Sequence, residues 1–382
     1  MKKRILLIIV NGILLIALVV CLIVYGIIKN TLRSQQAATA WAGQSGERFS
    51  QISAFIPRGT SFDENAIAAL RSSVDRALID ASIENVAGRV YYSDAWSAIG
   101  EVSIIGTRGS ATAQAIGVGG NYFLFHPLFL RDGSYLSPND LMQDRVVLDE
   151  ELAWRLFGAV NLEGLEITIN EKTYLIAGVV TRDNDFASSR AYTGGAGLFM
   201  SYEALRDIMG MSPEITCYEI VMPDPVTGFA INFMSESFPL SDAVIVENSM
   251  RYSFSGIVSI IRSLGMRSMR TDSVIYPYWE NAARYTEDWL AVLMVISFAL
   301  AIFPAVSIVI YIVKAIRFLI SRGKSIAKSS IDAHDEQKAE KYRREISEQT
   351  VIPDVEDIIR EVIEERNNEN EIEEEQYSAS ER

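Results

Sequence analysis

Two long uncharged stretches dominate the hydropathy pattern of the chain. No charged residue occurs within 5–28 or within 289–313. At ~1.5 Å per residue, each stretch is long enough as a helix to cross the ~30 Å hydrocarbon core of a bilayer. The pattern therefore predicts two transmembrane helices, 5–28 and 289–313, with Pro304 kinking the second one.

Basic residues flank both predicted helices and give them an orientation. Residues 2–4 are all Lys or Arg, and five further Lys or Arg residues lie within 314–328. Because the cytoplasmic flanks of membrane helices are enriched in these residues, both termini, 1–4 and 314–382, are predicted to be cytoplasmic. The large segment 30–288 is then extracytoplasmic.

A cleaved signal peptide is the alternative interpretation of the first apolar stretch. Ala38-Thr39-Ala40 has the small residues of a cleavage site. The apolar core of a signal peptide is usually only ~7–15 residues long, and this stretch is longer. We therefore expect an uncleaved anchor.

The outer segment mixes helical and strand patterns. Apolar residues recur at helical spacing within Phe62–Ile83, and Ser61 with Glu64 three residues later fits a capping box. Strands are predicted at 102–105, 114–118, 145–148, 165–169, 174–180, 197–200, 218–221 and 243–246. Short helices are predicted at 150–157, 202–209, 227–237 and 254–264. This alternation predicts an α+β fold rather than a doubly wound nucleotide-binding fold.

The tail after the second apolar stretch is acidic, and 367–382 has almost no apolar residues, which predicts disorder. An amphipathic helix is predicted within it, at about 353–366. Its apolar positions fall on one face: Val355, Ile358, Ile359, Val362 and Ile363. Such a short helix is marginal alone in water. It is either transient or a docking element for another subunit, a second copy or the membrane edge, and the acidic helix disfavours the membrane.

Composition narrows the function classes. The net charge is −14, so no affinity for nucleic acid is expected. The chain has two cysteines, Cys21 and Cys217, and two histidines, His126 and His334. Their scarcity and separation argue against an intrachain disulfide, a metal site or acid–base catalysis. We expect no catalytic residues, no cofactor and no metal.

Two short motifs near the second apolar stretch resemble enzyme signatures. Gly323-Lys324-Ser325 resembles the end of a phosphate-binding loop, but Phe318 stands where that motif needs a glycine, and no strand precedes it. Two Ser-x-x-Lys patterns, at 321–324 and 325–328, lack the other elements of lactamase-type sites. The chain is therefore not expected to be an ATPase or another enzyme.

Two other polar sites have simple structural interpretations. Asp183 and Asp185 lack the regularly spaced oxygen ligands of a calcium loop, so a solvated turn is favoured. His126 has no carboxylate or cysteine nearby in sequence and is interpreted as a packed or surface histidine.

Aromatic residues cluster just before the second apolar stretch. Tyr276, Pro277, Tyr278 and Trp279 precede it, and Trp289 begins it. Interfacial aromatic residues commonly mark the membrane surface, which is one explanation. The other is a rigid connector between the outer domain and the membrane helix.

A series of local motifs within about 115–200 has a familiar order. It consists of Gly120-Asn121-Tyr122-Phe123, Pro127-Leu128, Leu130-Arg131-Asp132-Gly133, Val146-Val147-Leu148, Leu156-Phe157-Gly158, Ile167-Thr168-Ile169 and Tyr174-Leu175-Ile176-Ala177-Gly178-Val179-Val180. The series resembles the MacB-like periplasmic core domain of bacterial FtsX/MacB-type ABC transporter permeases. Gly133 and Gly158 fit turn or helix-end positions that need positive φ.

The resemblance implies an outer domain of two lobes. One lobe would combine about 40–118 with 213–275, and the other, about 119–212, would be inserted into it. Permeases of this family have four membrane helices, three of them after the outer domain, whereas one apolar stretch follows it here. We therefore do not expect this chain alone to form a complete transport path.

Three functional hypotheses follow. The first is a non-catalytic subunit or divergent permease of an ABC system in the bacterial cytoplasmic membrane, working with a separate ATPase subunit, other permease subunits or a second copy. The second is a scaffolding membrane protein that binds partners through its outer domain and tail helix. The third, an extracytoplasmic enzyme, has no nucleophile, metal or acid–base cluster in the sequence to support it.

Overall fold

The computed structural model of the chain describes residues 2–83, 90–192, 197–263, 276–349 and 356–366. It forms two compact units, Met1–Phe303 and Pro304–Arg382. The first unit contains all the strands described below, and the described residues of the second unit are helical.

Within the described residues, two helices are long and apolar enough to cross a membrane, as the hydropathy pattern predicts. The first helix, α1, spans Lys2–Lys29, and the last helix of the outer domain continues as one element through Tyr278–Gln349. Pro304 lies inside the second helix. Most apolar side chains of α1 are exposed, for example Ile16 at 68%, as expected for a helix in contact with lipid.

In the part of the chain that the structure describes, ten strands form one mixed sheet. They are β1 Phe49–Phe55, β2 Ser93–Ile105, β3 Ser110–Gly120, β4 Phe129–Gly133, β5 Arg145–Asp149, β6 Glu166–Ile169, β7 Lys172–Thr181, β8 Gly197–Ser201, β9 Ile215–Pro223 and β10 Val244–Glu247. The strand order is β10-β1-β9-β2-β3-β8-β5-β7-β4, with β6 pairing β2 and β7. Together with the helices, the sheet confirms the predicted mixed α+β fold.

The sheet is continuous across both predicted lobes. Strands β1, β2, β3, β9 and β10 come from the first lobe, and the other five come from the second. The two sets join through the parallel pair β3–β8 and through two residue pairs between β2 and β6. The lobe boundaries, 40–118 with 213–275 and 119–212, stay a prediction.

Eight further helices precede the long one. They are α2 Ala37–Ala42, α3 Glu64–Asp80, α4 Tyr122–Phe125, α5 Glu150–Leu156, α6 Ser188–Ala191, α7 Tyr202–Met209, α8 Phe229–Ser237 and α9 Phe254–Ser263, so Tyr278–Gln349 is α10. Residues 356–366 are also helical and form α11. The tail position Val355 and the predicted disordered stretch 367–382 lie outside the described residues, as does Leu264 at the predicted end of α9.

The start of α3 differs from the predicted capping box. Asp63, not Ser61, is the N-cap residue, and its carboxylate accepts a hydrogen bond of 2.9 Å from Ala66 N–H. Glu64 is the first helical residue rather than the third. The prediction was wrong because Asp is as good an N-cap as Ser, and Asp63 stands directly before the helix.

The two faces of β1 pack differently. Its even-numbered apolar residues join a core with α3 and α8, whereas Phe49 and Phe55 join a second core that contains Trp279. Because side chains alternate along a strand, Gln51 and Ser53 lie on the same face as Phe49 and Phe55. The sheet thus presents buried polar groups to the side where α10 begins.

Gly133→Ala and Gly164→Ala separate two costs of replacing a glycine at positive φ, the backbone strain and the steric clash of the new Cβ. Both residues have left-handed backbone, with φ of 72° and 80°. A Cβ at Gly133 would lie 2.1 Å from Ala177 O, whereas nothing lies within 4 Å of one at Gly164. We expect Gly164→Ala to lower the free energy of unfolding by ~1–2 kcal/mol, and Gly133→Ala by on the order of 3 kcal/mol or more.

Chemical unfolding of the full-length protein in detergent, followed by near-ultraviolet circular dichroism, measures both losses. Gly164→Ala is the matched control, since it carries the backbone cost without the clash. Equal losses for the two variants would contradict the assigned role of the Ala177 contact.

Candidate functional site

The first turns of α10 are buried in the outer domain. We name residues 276–291 the connector. Its fully buried members have at most 6% of their surface exposed: Tyr276, Trp279, Glu280, Ala282, Ala283, Thr286, Glu287, Leu290 and Ala291. A helix that continues into an apolar, membrane-length segment is therefore anchored inside a folded domain.

Aromatic contacts hold the beginning of the connector. Tyr276 packs edge-on against Phe55 of β1, with ring centroids 5.2 Å apart. Trp279 lies over the ring of His126, with centroids 4.0 Å apart, and Tyr278 stacks on Tyr192 at 4.4 Å. Tyr276 and Trp279 thus contact protein rather than lipid, and the interfacial-belt interpretation does not apply to them.

Trp289, the last aromatic residue of the predicted connector, has a different environment. It is 45% exposed and contacts Tyr285 at a centroid distance of 6.4 Å. The interfacial interpretation stays open for Trp289.

A second face of the connector packs against the inserted segment. Ala282 and Ala283 form a small apolar cluster with Leu32 and with Ala187 and Ala191 at α6. The first face packs on β1, so the connector touches strands and helices from both predicted lobes.

A buried cluster of charges fixes the next turns of the connector. The Arg251 guanidinium donates to Glu280 at 2.5 Å and to Glu287 at 2.6 Å, and all three side chains are at most 6% exposed. Arg284 adds a second cation to Glu280 at 2.7 Å. Burial by itself lowers the pKa of Arg251, but the two carboxylates outweigh it and raise that pKa above its usual range. The guanidinium therefore stays charged.

Hydrogen bonds extend this cluster into the sheet. Arg251 donates to Asn248 Oδ1 at 3.3 Å, and Asn248 donates to Ser53 Oγ at 2.6 Å. Ser53 donates to Glu219 Oε1 at 2.7 Å, and the other Glu219 oxygen pairs with His126 Nε2. We name these five residues and Glu280 the polar chain. It begins at Glu280 and ends at His126, the residue that packs on Trp279.

Gln51 joins the end of the first membrane helix to the same region. Its amide donates to Ser34 O at 2.7 Å, and its carbonyl accepts from Ala37 N–H at 3.0 Å. Its backbone N–H donates to Ser249 Oγ at 2.8 Å. Both membrane helices are therefore tied to one buried polar region beneath β1.

His126 is 2% exposed. Among the residues described, its ring has one hydrogen-bond partner, Glu219. Its Nδ1 atom is buried without a hydrogen-bond partner there. A small cavity next to the ring is also lined by Asp183, Ser34 and Ser188. Burial and the neighbouring Asp185 raise the pKa of Asp183, whereas Arg33 and His126 lower it.

Burial also shifts the pKa of a residue next to the polar chain. Cys217, two positions before Glu219, is fully buried, and burial raises the pKa of its thiol well above the usual range, with Glu219 and Glu280 adding to the effect. A thiol held neutral in this way is a poor nucleophile. The region has the character of a locked structural network rather than a reactive centre.

A cavity of about 120 Å³ lies between the connector and the sheet. Tyr276, Pro277, Tyr278 and Trp279 line one side. The opposite side carries the Asp149–Arg182 ion pair, in which burial raises the pKa of Asp149 against the lowering effect of Arg182.

The other residues singled out in the sequence lie elsewhere. Asp185 caps α6 by accepting from the N–H groups of Ala187 and Ser188. The Gly323–Ser325 motif lies inside α10, whereas a phosphate-binding loop stands between a strand and a helix. In α11, the side chains of Ile358, Ile359, Val362 and Ile363 are 45–57% exposed.

Sequence patterns do not identify the partners in the polar chain. Arg251 and Glu280 are 29 positions apart, and His126 and Glu219 are 93 apart. The usable signal is a polar residue inside an apolar run, as at Glu219 in the otherwise apolar part of β9.

Comparison with known proteins places the chain in a family. The family model described as the MacB-like periplasmic core domain matches residues 5–233, more than half of the chain. No curated protein matches the chain.

Three solved structures are similar to parts of the chain. The periplasmic region of MacB from Actinobacillus actinomycetemcomitans is 17% identical with a TM-score of 0.38, covering 57% of this chain and 94% of that one. The extracellular domain of the noncanonic ABC-type transporter YknZ from Gram-positive bacteria is 13% identical with a TM-score of 0.35, covering 52% of this chain and 100% of that one. A domain of a permease protein from Porphyromonas gingivalis is 10% identical with a TM-score of 0.31, covering 56% and 97%.

The match to the family model agrees with the motif series in 115–200 and with the two apolar helices on either side of the domain. The chain is a membrane protein with an extracytoplasmic domain, and it belongs to the MacB/FtsX-like permease family through its MacB-like periplasmic core domain.

Proposed function

We propose that this chain is a non-catalytic membrane subunit or divergent permease of a MacB/FtsX-like ABC system. In this proposal the connector passes movement between the membrane helices and the extracytoplasmic domain. ATP hydrolysis belongs to a separate subunit, because the phosphate-loop-like residues of this chain lie within a helix.

The buried connector is the observation that carries this proposal. A helix transmits an axial shift or rotation to whatever is packed against it, because its backbone hydrogen bonds make it stiff. Here the packed groups come from β1, from the Arg251 loop and from α6. A displacement of α10 would therefore act on both predicted lobes at once.

The proposed topology places both termini in the cytoplasm of a bacterial cell. The Lys and Arg residues that flank the apolar segments support it. The structure also bears on the signal-peptide alternative, since the candidate site Ala38-Thr39-Ala40 lies within α2, where Ala38 is 7% exposed and Thr39 and Ala40 are exposed. Cleavage there would require α2 to unfold, which supports an uncleaved anchor.

The helix α11 is the proposed dock for the ATPase subunit. Its exposed apolar side chains form a stripe, which a partner surface would cover. The alternative hypothesis, a scaffolding protein, uses the same stripe for a different partner. The nature of the co-purified protein separates the two.

Arg251→Met tests whether the connector is seated by the buried charges. The substitution leaves Glu280 and Glu287 buried without their main cation, which should cost about 3–5 kcal/mol of stability. The connector should also become accessible to proteolysis in the full-length protein in detergent.

Two further variants make the result interpretable. Arg145→Met removes an exposed ion pair of 3.7 Å and should cost less than ~1 kcal/mol. Replacing Arg251, Glu280 and Glu287 together by Met should recover most of the loss, since Arg284, the charge of the cluster that remains, is partly exposed to solvent. If Arg251→Met behaves like Arg145→Met, the charge cluster does not seat the connector.

A pull-down from mild detergent, with mass spectrometry of the co-purified proteins, tests the ABC assignment. We expect the wild-type protein to bring down a nucleotide-binding ATPase. Ile359→Asp should reduce the recovered ATPase by at least tenfold, because it places a charge in the apolar stripe of α11 and a buried unpaired charge costs several kcal/mol.

Arg360→Gln is the matched control for that experiment. It changes the net charge by the same amount, and helical spacing places residue 360 outside the stripe. ATPase recovery should stay near the wild-type amount. Recovery of envelope proteins without any ATPase would refute the ABC assignment and favour the scaffold.

A further inference from the structure

We propose that His126 is a proton-operated latch on the connector. This inference rests on the proposed coupling role of the connector, but it does not depend on which partner the chain binds. When the imidazole carries two protons, it holds the Trp279 turn in place, and when it loses one, that turn is released.

Acidic groups face the His126 ring from two separate elements. Glu219 of β9 pairs with Nε2, and Asp183, in the segment between β7 and α6, lines the small cavity beside the ring. Asp185 and Arg33 act on Asp183, and the neutral thiol of Cys217 lies near Glu219. Both aromatic neighbours, Tyr122 on its own helix and Trp279 on α10, are uncharged and present π systems to the ring.

This surrounding fits an imidazolium better than a neutral imidazole. A neutral ring that donates from Nε2 to Glu219 leaves Nδ1 as a bare acceptor, and Nδ1 has no hydrogen-bond partner in the described structure. The protonated ring turns Nδ1 into a donor, and Asp183 lines the same small cavity as the ring. It also neutralises the buried Glu219 carboxylate, and it adds a cation–π attraction to Trp279.

The latch acts on two consecutive connector residues. His126 packs directly on Trp279, and the polar chain links the Glu219–His126 pair through Ser53, Asn248 and Arg251 to Glu280. Loss of the ring proton removes the cation–π contact. It also removes the positive charge beside the Glu219 carboxylate, to which the neutral ring still donates one hydrogen bond from Nε2. Both effects loosen the first turn of α10.

The sign of the pH dependence follows from this argument. Imidazole side chains usually change charge between about pH 5 and pH 8. The contacts that need the imidazolium are present at the acidic end of that range and are lost as the pH rises. We therefore expect a tighter connector at about pH 6 than at about pH 8.

Hydrogen exchange of the full-length protein in detergent, read by mass spectrometry on connector peptides, measures this directly. After correction for the intrinsic exchange rate, wild-type amides at 279–285 should be about tenfold more protected at about pH 6 than at about pH 8. His126→Gln keeps a side-chain donor for Glu219 but cannot change charge in this range, so its protection should be independent of pH.

Three controls complete the design. His334→Gln removes the other histidine of the chain, which lies on the exposed part of α10, and should keep the wild-type pH response. If His126→Gln does not fold, Glu219→Gln removes the facing charge and should show a smaller response than the wild type, because the contact with Trp279 remains. A variant counts only if its circular dichroism spectrum matches the wild type.

The latch is refuted if the pH response persists in His126→Gln, or if the wild-type connector shows none. These measurements need no partner protein. Co-purification of an ATPase together with an unresponsive connector would thus overturn the latch and leave the proposed function standing, and the reverse pattern would do the opposite.

Discussion

The Arg251 side chain and its two carboxylates set the condition on which the rest of this region depends. Moving a charge out of water costs several kcal/mol, and the three charges recover that cost only while they contact one another. Glu280 and Glu287 belong to the connector, whereas Arg251 belongs to the loop after β10. The cluster therefore exists only when the connector is packed in place. If the connector moved out, the three charges would be exposed to solvent or left buried without a partner. A junction of this kind favours two discrete positions over a gradual slide.

The sheet carries polar residues at buried positions to meet this condition. Strand β1 carries Ser50, Gln51 and Ser53 at buried positions where an ordinary core strand would carry aliphatic residues. Gln51 and Ser53 lie on the face toward the connector and supply the hydrogen bonds that position Ser34 and Asn248. Buried polar groups contribute little net stability even when they are paired, but an incorrect packing would leave them unpaired. Their value here is that they specify one arrangement of the membrane helices beneath the sheet.

Features that depend on local sequence spacing could be predicted from the sequence, whereas contacts between distant residues could not. The apolar helices, the amphipathic α3 and the turn glycines Gly133 and Gly158 depend on local composition and spacing, and they were predicted. Strand β1 was missed because its polar residues break the alternation that identifies strands, and the cap of α3 was assigned two residues too early. The polar chain joins residues up to 195 positions apart, as between Ser53 and Asn248. No spacing rule reaches that far, and only the fold brings those groups together.

The two ends of the polar chain differ in how they respond to protons, and that difference matters for a coupling element. The Arg251 guanidinium stays charged at any physiological pH, so the later turns of the connector remain anchored. The His126 ring at the other end is of the one side-chain type whose ordinary charge change falls near neutral pH. A change in extracytoplasmic pH would then act first on the contact between His126 and Trp279. Glu280, the next residue, stays paired with Arg251 and Arg284, so the aromatic contact would loosen while the charge cluster kept both membrane helices attached to the domain.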